Sequence, residues 1–313
     1  MQIDKRAGRM IVGIVSGTFL LLIGIMLICR LSLEPPEGQI SDLDEKVPYG
    51  EFLSWDAVDK IFPKSAKATV VDYDTGMQFE VQRRGGSNHA DVQPLTANDT
   101  AIMKSIYAGK WGWRRKAVIL QLKNGLRIAA SMNGMPHGQG AIQNNNFDGH
   151  FCIHFRDCKT HASNRVDLAH QMMVWKAGNV VDQQLQSLTP AEILTVFFTA
   201  LNQHELNIAG KLVNSEDDIM PMMENLGSIE TIRAENIKKV ADNSYSISVS
   251  IIFNDSNREY RKNMVINLVA RKAYWQIDAN VINILLDKRS MASFQAINTI
   301  PMEQEDWELV DND

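Results

Sequence analysis

The chain has 313 residues and a formal net charge of −5 at pH 7, a length that suits about two domains. Residues 1–30 hold four basic side chains and one acidic one, so the rest of the chain carries −8 and lacks the basic surface of a nucleic-acid-binding protein. The three cysteines, Cys29, Cys152 and Cys158, are too few for a disulfide scaffold, although one Cys152–Cys158 bridge remains open.

An uncharged apolar segment lies near the N terminus. Residues 10–29 contain no charged side chain and have the length of a membrane-spanning helix. Three basic residues precede the segment and one directly follows it, which favours a cytoplasmic N terminus. The sequence therefore predicts a cytoplasmic stub and single-pass membrane anchor over residues 1–31, an extracytoplasmic linker over residues 32–46, and the bulk of the chain outside the cell membrane.

Residues 47–179 are predicted to form a strand-rich mixed domain. Two hairpins are indicated by β-rich segments on either side of Asp74-Thr75-Gly76 and Asn124-Gly125. A helix is predicted from Thr96, which is a suitable N-cap residue, to Tyr107. The remaining predicted elements are a strand over Phe151–Phe155 and a helix over Val166–Ala177.

A second domain is predicted over residues 188–288, followed by an acidic tail over residues 289–313. Thr189 and Pro190 are typical of a capped helix start, and a helical middle, two long strands and a short Trp-containing strand follow. This order, with Thr189-Pro190-Ala191-Glu192 at its start and Phe197-Phe198-Thr199-Ala200-Leu201-Asn202 after it, resembles the NTF2-like family. The resemblance implies a helix packed on a curved antiparallel sheet and a module that binds another envelope protein. The predicted fold class is thus α+β, with a single transmembrane helix, a strand-rich mixed domain and an NTF2-like domain.

Histidine is concentrated in the first domain, since six of the seven histidines lie between residues 89 and 170. In the predicted strand, the alternation of side chains places Phe151, Ile153 and Phe155 on one face. His150, Cys152 and His154 then lie next to one another on the other face, and all three side chains can take part in catalysis or bind a metal ion.

One interpretation of this face is a cysteine nucleophile. A thiol attacks a carbonyl carbon only after losing its proton, and His150, His154 or His137 could accept that proton from Cys152. The segments Pro136-His137-Gly138 and Gly149-His150-Phe151-Cys152-Ile153 resemble the L,D-transpeptidases of the cell wall, which carry an upstream His and then a Ser-His-Gly-Cys strand. Gly149 and Phe151 stand where that family has Ser or Thr and Gly. The resemblance, over about residues 68–177, implies that Cys152 is the nucleophile, that His137 or His150 is the base, and that no cofactor is needed.

The alternative interpretation is a zinc peptidase of the cell wall. His89 and Asp91 lie two residues apart in an extended segment, and His150, Cys152 or His154 could complete a tetrahedral set of nitrogen, oxygen and sulfur ligands suited to Zn²⁺. The predicted ligands are His89, Asp91, His150 and His154. A third possibility is a non-catalytic binding or scaffolding module of the cell envelope.

A peptidoglycan substrate would be bound by aromatic and basic side chains beside these motifs. Sugars stack on Trp and acidic peptide stems pair with Arg. We therefore predict Arg84, Arg114 and Trp113 as substrate contacts.

Overall fold

The structure is a computed structural model that describes residues 49–160, 164–216 and 218–295. These residues form an α+β fold in which a closed β-barrel is followed by a helix-and-sheet part. The helices are α1 (Trp55–Ile61), α2 (Ala97–Ile106), α3 (Leu168–Ala177), α4 (Val181–Leu185), α5 (Pro190–Asn202), α6 (Leu206–Lys211), α7 (Met220–Asn225) and α8 (Asn280–Leu286). The strands are β1 (Lys67–Asp72), β2 (Gln78–Gly85), β3 (Ala90–Pro94), β4 (Lys116–Leu122), β5 (Arg127–Met132), β6 (Phe151–His154), β7 (Val213–Asn214), β8 (Ile229–Ala241), β9 (Ser244–Phe253), β10 (Arg258–Ala270), β11 (Trp275–Asp278) and β12 (Ala292–Gln295).

The six barrel strands follow the order β1-β2-β3-β6-β5-β4, and the barrel closes where β4 pairs with β1. All neighbouring strands in it are antiparallel. Inward-facing apolar side chains such as Val70, Leu120 and Phe151 fill the interior, and α1 and α2 add Val58 and Met103 to the same core. The barrel thus has a packed core that fixes the position of each strand.

The elements predicted from local sequence signals are present in the structure. Both hairpins are present, as β1–β2 and β4–β5. Thr96 caps α2 and Thr189 caps α5, each through a capping box with the acidic residue three positions on. Asp167 caps α3 by accepting a hydrogen bond from the backbone N–H of His170.

The second part consists of a six-stranded sheet with the path β7-β11-β10-β9-β8, and β12 pairs with β10. Helix α5 packs against β8. The predicted helical middle is only partly right, because α6 and α7 are short and Ile229–Ala241 is a strand. In this strand (β8), Ile232 and Ala234 are buried on either side of the half-buried Arg233, and the backbone pairs with β9. The NTF2-like assignment stays a prediction.

Polar contacts join the barrel to the second part. Lys176 of α3 bonds both carboxylate oxygens of Glu205 at 2.9 Å. The backbone N–H of Arg115, just before β4, donates to the side-chain oxygen of Gln203 at 2.8 Å. Arg114 lies 3.8 Å from Glu230 of β8. The second part therefore contacts the residues that directly precede β4, among them Arg115.

The fold class predicted from the sequence needs correction. The strand-rich mixed domain is a closed barrel, whose closing pairs join strands far apart in the chain and leave no mark on local periodicity. None of the described helices is long and apolar enough to cross a membrane. The longest of these, α5, has 13 residues and spans about 20 Å, short of the ~30 Å hydrocarbon core.

Several predictions fall partly or wholly outside the described residues. The apolar segment 10–29, the linker 32–46 and the tail beyond Gln295 are among them. The cytoplasmic N terminus and the extracytoplasmic location of the bulk of the chain stay predictions.

Candidate functional site

Strand β6 divides its side chains between the barrel core and a polar cluster. Phe151, Ile153 and Phe155 belong to the apolar core, as the alternation predicts. Cys152 and His154 point away from that core into a polar cavity, and both are almost completely buried. In the sheet, Cys152 lies opposite Asp91 of β3.

A backbone bridge holds His137 beside His150. The N–H of His137 donates to the carbonyl of His150 at 2.9 Å, and the reverse bond is 2.8 Å long. Gly138 and Gly149 both have positive φ, and a Cβ on Gly149 would lie 2.3 Å from the carbonyl oxygen of His137. In the loop between β5 and β6, the backbone at Gly138 and Gly149 lies so close to His137 and His150 that only glycine fits at these two positions.

The bridge brings the ring of His137 onto the thiol of Cys152. Nε2 of His137 lies 3.2 Å from Sγ. Nδ1 of the same ring lies 2.8 Å from the carbonyl oxygen of Met135. A carbonyl only accepts hydrogen bonds, so Nδ1 carries the proton, and in the neutral imidazole Nε2 presents its lone pair to the thiol.

The environment of Cys152 favours the protonated thiol at rest. Burial raises the pKa of Cys152 well above its ordinary value, and the carboxylate of Asp91, whose Oδ1 lies 3.9 Å from Sγ, raises this pKa further. Arg115 lowers it. The thiol therefore needs a base that removes its proton during attack, because a resting thiolate is unfavourable here.

The remaining site histidines form a stack in the interior. The ring of His154 lies between those of His89, 4.5 Å away, and His170, 3.7 Å away, and all three planes are nearly parallel. Burial lowers the pKa of His154 and of His170 well below their ordinary values. Nδ1 of His170 pairs with the hydroxyl of Ser131 at 2.8 Å. The rings of His154 and His170 are therefore neutral, and the stack fixes their positions.

The predicted zinc ligands are distributed around Cys152. Nε2 of His89 lies 3.2 Å from Oδ1 of Asp91, and Nε2 of His150 lies 3.9 Å from that oxygen. Among the described residues, two groups of three donors have all ligand atoms within 4.8 Å of one another: His89, Cys152 and His154, and His137, His150 and Cys152. Each group contains Cys152, and neither contains Asp91.

A small cavity of about 30 Å³ opens beside Cys152. Its walls carry His89, Trp113, Arg115, Asn133, His137, Cys152, His154, Thr160 and His170. Three buried polar atoms of these walls have no hydrogen-bond partner among the described residues: Nε of Arg115, Oδ1 of Asn133 and Nδ1 of His154. A cavity of this size and polarity accommodates a water molecule or one polar group of a ligand.

The structure separates the three predicted substrate contacts. Trp113 lies at the cavity, with its ring 5.3 Å from that of His137. Arg114 turns toward the second part and bonds Nε2 of His204 at 3.0 Å. Arg84 is exposed on β2, where it bonds the side chain of Gln82.

Sequence reasoning missed Arg115, Asn133, Thr160 and His170 as cavity residues. Arg115 is buried, bonds Asp167 at 2.5 Å and donates to the carbonyl of Trp113. Arg115 lies between Arg114 and Lys116, and in such a run of basic residues the sequence does not show which one is buried. The one sequence signal that could have distinguished Arg115 from Arg114 and Lys116 is the alternation of inward and outward side chains in β4.

Cys152 and Cys158 are free thiols in the structure. Cys158 lies in the apolar core, where its sulfur accepts the backbone N–H of Phe155 at 3.1 Å. The disulfide left open by the sequence is therefore absent from the structure, and no disulfide blocks the thiol of Cys152.

No protein-family model matches the chain, and comparisons with curated proteins and with solved structures also give no match.

Proposed function

We propose that the protein is a cysteine-dependent acyl-transfer enzyme that acts on the peptide stems of peptidoglycan, with Cys152 as nucleophile and His137 as base. The observation that carries the proposal is the 3.2 Å contact between Sγ and Nε2 of His137, together with the bond from Nδ1 to the carbonyl of Met135. A positioned nucleophile, a base and a group that orients the base are the parts that nucleophilic catalysis needs.

The geometry supports general-base catalysis. As Sγ attacks the carbonyl carbon of a peptide bond, the thiol proton moves to Nε2 of His137 and the carbonyl oxygen becomes an oxyanion. When the C–N bond breaks, His137 returns that proton to the leaving amine and a thioester remains on Cys152. An acceptor amine, or water, then attacks the thioester carbonyl and gives a proton to His137. As the C–S bond breaks, the acyl group leaves on the acceptor and His137 returns the proton to Sγ of Cys152.

Arg115 supports the charge that develops in this reaction. Its guanidinium is buried at the cavity beside Cys152, with Nε directed to no partner among the described residues. A fixed positive charge in such a site stabilises an oxyanion more than it would in water.

The substrate class is supported by an aromatic side chain at the cavity and by the sequence pattern. Trp113 offers an aromatic face next to His137, which suits a sugar or a peptide stem. The pattern of His137-Gly138 followed by His150-Phe151-Cys152-Ile153 resembles that of the L,D-transpeptidases.

The test is to incubate the purified full chain with muropeptides in the presence of a chelator and to follow cleaved or exchanged stems by mass spectrometry. We expect turnover in the wild-type protein and a loss of about three orders of magnitude or more in Cys152→Ser. Cys158→Ala removes the other described thiol and is expected to keep most of the activity.

His137→Ala should lose activity while the protein still binds muropeptides. Full activity in Cys152→Ser would contradict the proposal. Muropeptide binding by the wild-type protein without turnover would favour the non-catalytic binding module instead.

A further inference from the structure

We propose that His137, His150 and Cys152 form a binding site for one Zn²⁺ ion, with the carboxylate of Asp91 as the adjacent counter-charge. The three ligand atoms lie within 4.8 Å of one another, and Sγ is already 3.2 Å from Nε2 of His137. Tetrahedral zinc with bonds of ~2.3 Å to sulfur and ~2.0 Å to nitrogen holds these atoms about 3.5 Å apart. The observed separation between Sγ and Nε2 of His137 is close to that value.

Both imidazoles present the correct nitrogen to the ion. Nδ1 of His137 donates to the carbonyl of Met135 at 2.8 Å, and Nδ1 of His150 donates to the carbonyl of Gln139 at 3.1 Å. In each neutral ring, Nε2 then carries the lone pair on the side of Cys152. Histidines that bind metals typically make this second bond, which fixes the ring and its tautomer.

The orientation of the rings favours this group of donors over His89, Cys152 and His154. The planes of His137 and His150 are tilted by 60°, with centroids 4.6 Å apart, so lone pairs in the two planes can converge. The planes of His89 and His154 are stacked with an angle of 15° between them, so their lone pairs run side by side. His137 and His150 are also partly exposed, whereas His89 and His154 are buried.

The charge of the site matches a divalent cation. The thiolate formed on binding and the carboxylate of Asp91 together carry the two negative charges that neutralise Zn²⁺. The charge of Arg115 at the same cavity is balanced by its ion pair with Asp167. Oδ1 of Asp91 lies 3.9 Å from both Sγ and Nε2 of His150. Nitrogen and thiolate donors together select a borderline or soft metal ion over Mg²⁺ or Ca²⁺.

The binding does not require Cys152 to be a nucleophile, but its consequence rests on the proposed function. An ion bound to Sγ and to Nε2 of His137 occupies both the nucleophile and the base. Zinc would therefore hold the proposed enzyme in a reversible inactive form.

The experiment measures binding of Zn²⁺ to the full chain after removal of metals with a chelator, by titration calorimetry. We expect one ion per chain, loss of the reactivity of Cys152 toward a thiol reagent when zinc is bound, and its recovery with chelator. Co²⁺ in place of Zn²⁺ should give the charge-transfer absorption that marks a thiolate ligand. These readouts are independent of turnover, so failure here and failure of the peptidase assay are distinguishable.

Variants assign the ligands. His150→Ala should weaken zinc binding by about 100-fold or more, and Asp91→Asn by about 10-fold, within the range seen when outer-shell partners are lost. His204→Ala removes a histidine outside the cluster and should bind as the wild type does. Absence of zinc binding in the wild type, a cobalt spectrum without the thiolate band, or loss of binding in a folded His154→Gln variant but not in His150→Ala would overturn the proposal.

Discussion

Individual hydrogen bonds to backbone carbonyls decide the chemistry of the histidines in this site. Met135 and Gln139 fix the protonated nitrogens of His137 and His150, so that the opposite nitrogens face Cys152. The motif in the sequence pointed to these residues. It could not show their tautomers, because the carbonyls belong to a loop whose path is set by the fold.

The buried side chain of His170 should make the stability of the protein depend on pH. Its pKa is lowered by burial first, and then by Arg115 and His89, and its ring also contacts His154 and Ser131. The unfolded chain takes up a proton on this residue below pH ~6.5 whereas the folded protein does not, so stability falls as the pH falls from there toward the lower folded pKa.

His170→Gln should reduce the acid-side slope of the unfolding free energy by about 1.4 kcal/mol per pH unit, the effect of one proton. Urea denaturation at a series of pH values in the presence of a chelator measures the slope. An unchanged slope would show that His170 is protonated in the folded protein.

The loop between β5 and β6 decides the site at the scale of elements. Two glycines with positive φ allow the backbone bridge between His137 and His150 to form. The motif in the sequence pointed to His137 and His150 at the two ends of this segment, but not to the bridge between them. Strand β6, by contrast, followed its alternating pattern, because one face of a barrel strand must be apolar.

Gly149→Ala should disrupt the site more than the fold as a whole. An added Cβ would lie 2.3 Å from the carbonyl oxygen of His137, at a φ of +100°. We expect the reactivity of the Cys152 thiol to fall and the protein to lose more stability than the ~1–2 kcal/mol of a strained φ alone.

Gly125→Ala is the matched control, since Gly125 also has a positive φ but nothing lies within 4 Å of an added Cβ. It should show the cost of the strained φ without a change in thiol reactivity. Equal effects of the two substitutions on both readouts would argue against a positioning role for the loop.

At the scale of the whole molecule, a buried ion pair links the barrel to the helix-and-sheet part. Lys176 of α3 pairs with Glu205, which precedes α6, and with Asp74 in the turn between β1 and β2. The side chains of Lys176 and Glu205 are 15% and 11% exposed, so neither group is screened strongly by water. The two parts should therefore unfold together.

Lys176→Met should destabilise the protein by about 3 kcal/mol, because it leaves the carboxylate of Glu205 buried without its partner. Burial already raises the pKa of Glu205 and Lys176 counteracts this. In the variant the pKa rises further, so the carboxyl takes up a proton more readily and the destabilisation shrinks as the pH falls. Chemical denaturation at neutral and mildly acidic pH measures both effects.

Lys211→Met removes an exposed ion pair with Asp182 and should change stability by no more than about 1 kcal/mol. Adding Glu205→Gln to Lys176→Met should recover part of the loss. A small effect of Lys176→Met would mean that the pair is hydrated and does not couple the two parts.

Elements with local signals could be predicted from the amino-acid sequence alone. The two hairpins, the capped helices α2 and α5, and the facing of Cys152 away from the core depend on neighbours a few residues apart, and the structure confirms them. Closure of the barrel, strand β8 and the placement of Arg115 at the cavity depend on pairings between distant segments. Only the tertiary structure decides these, because the backbone hydrogen bonds and the burial that fix them come from residues that periodicity and spacing cannot connect.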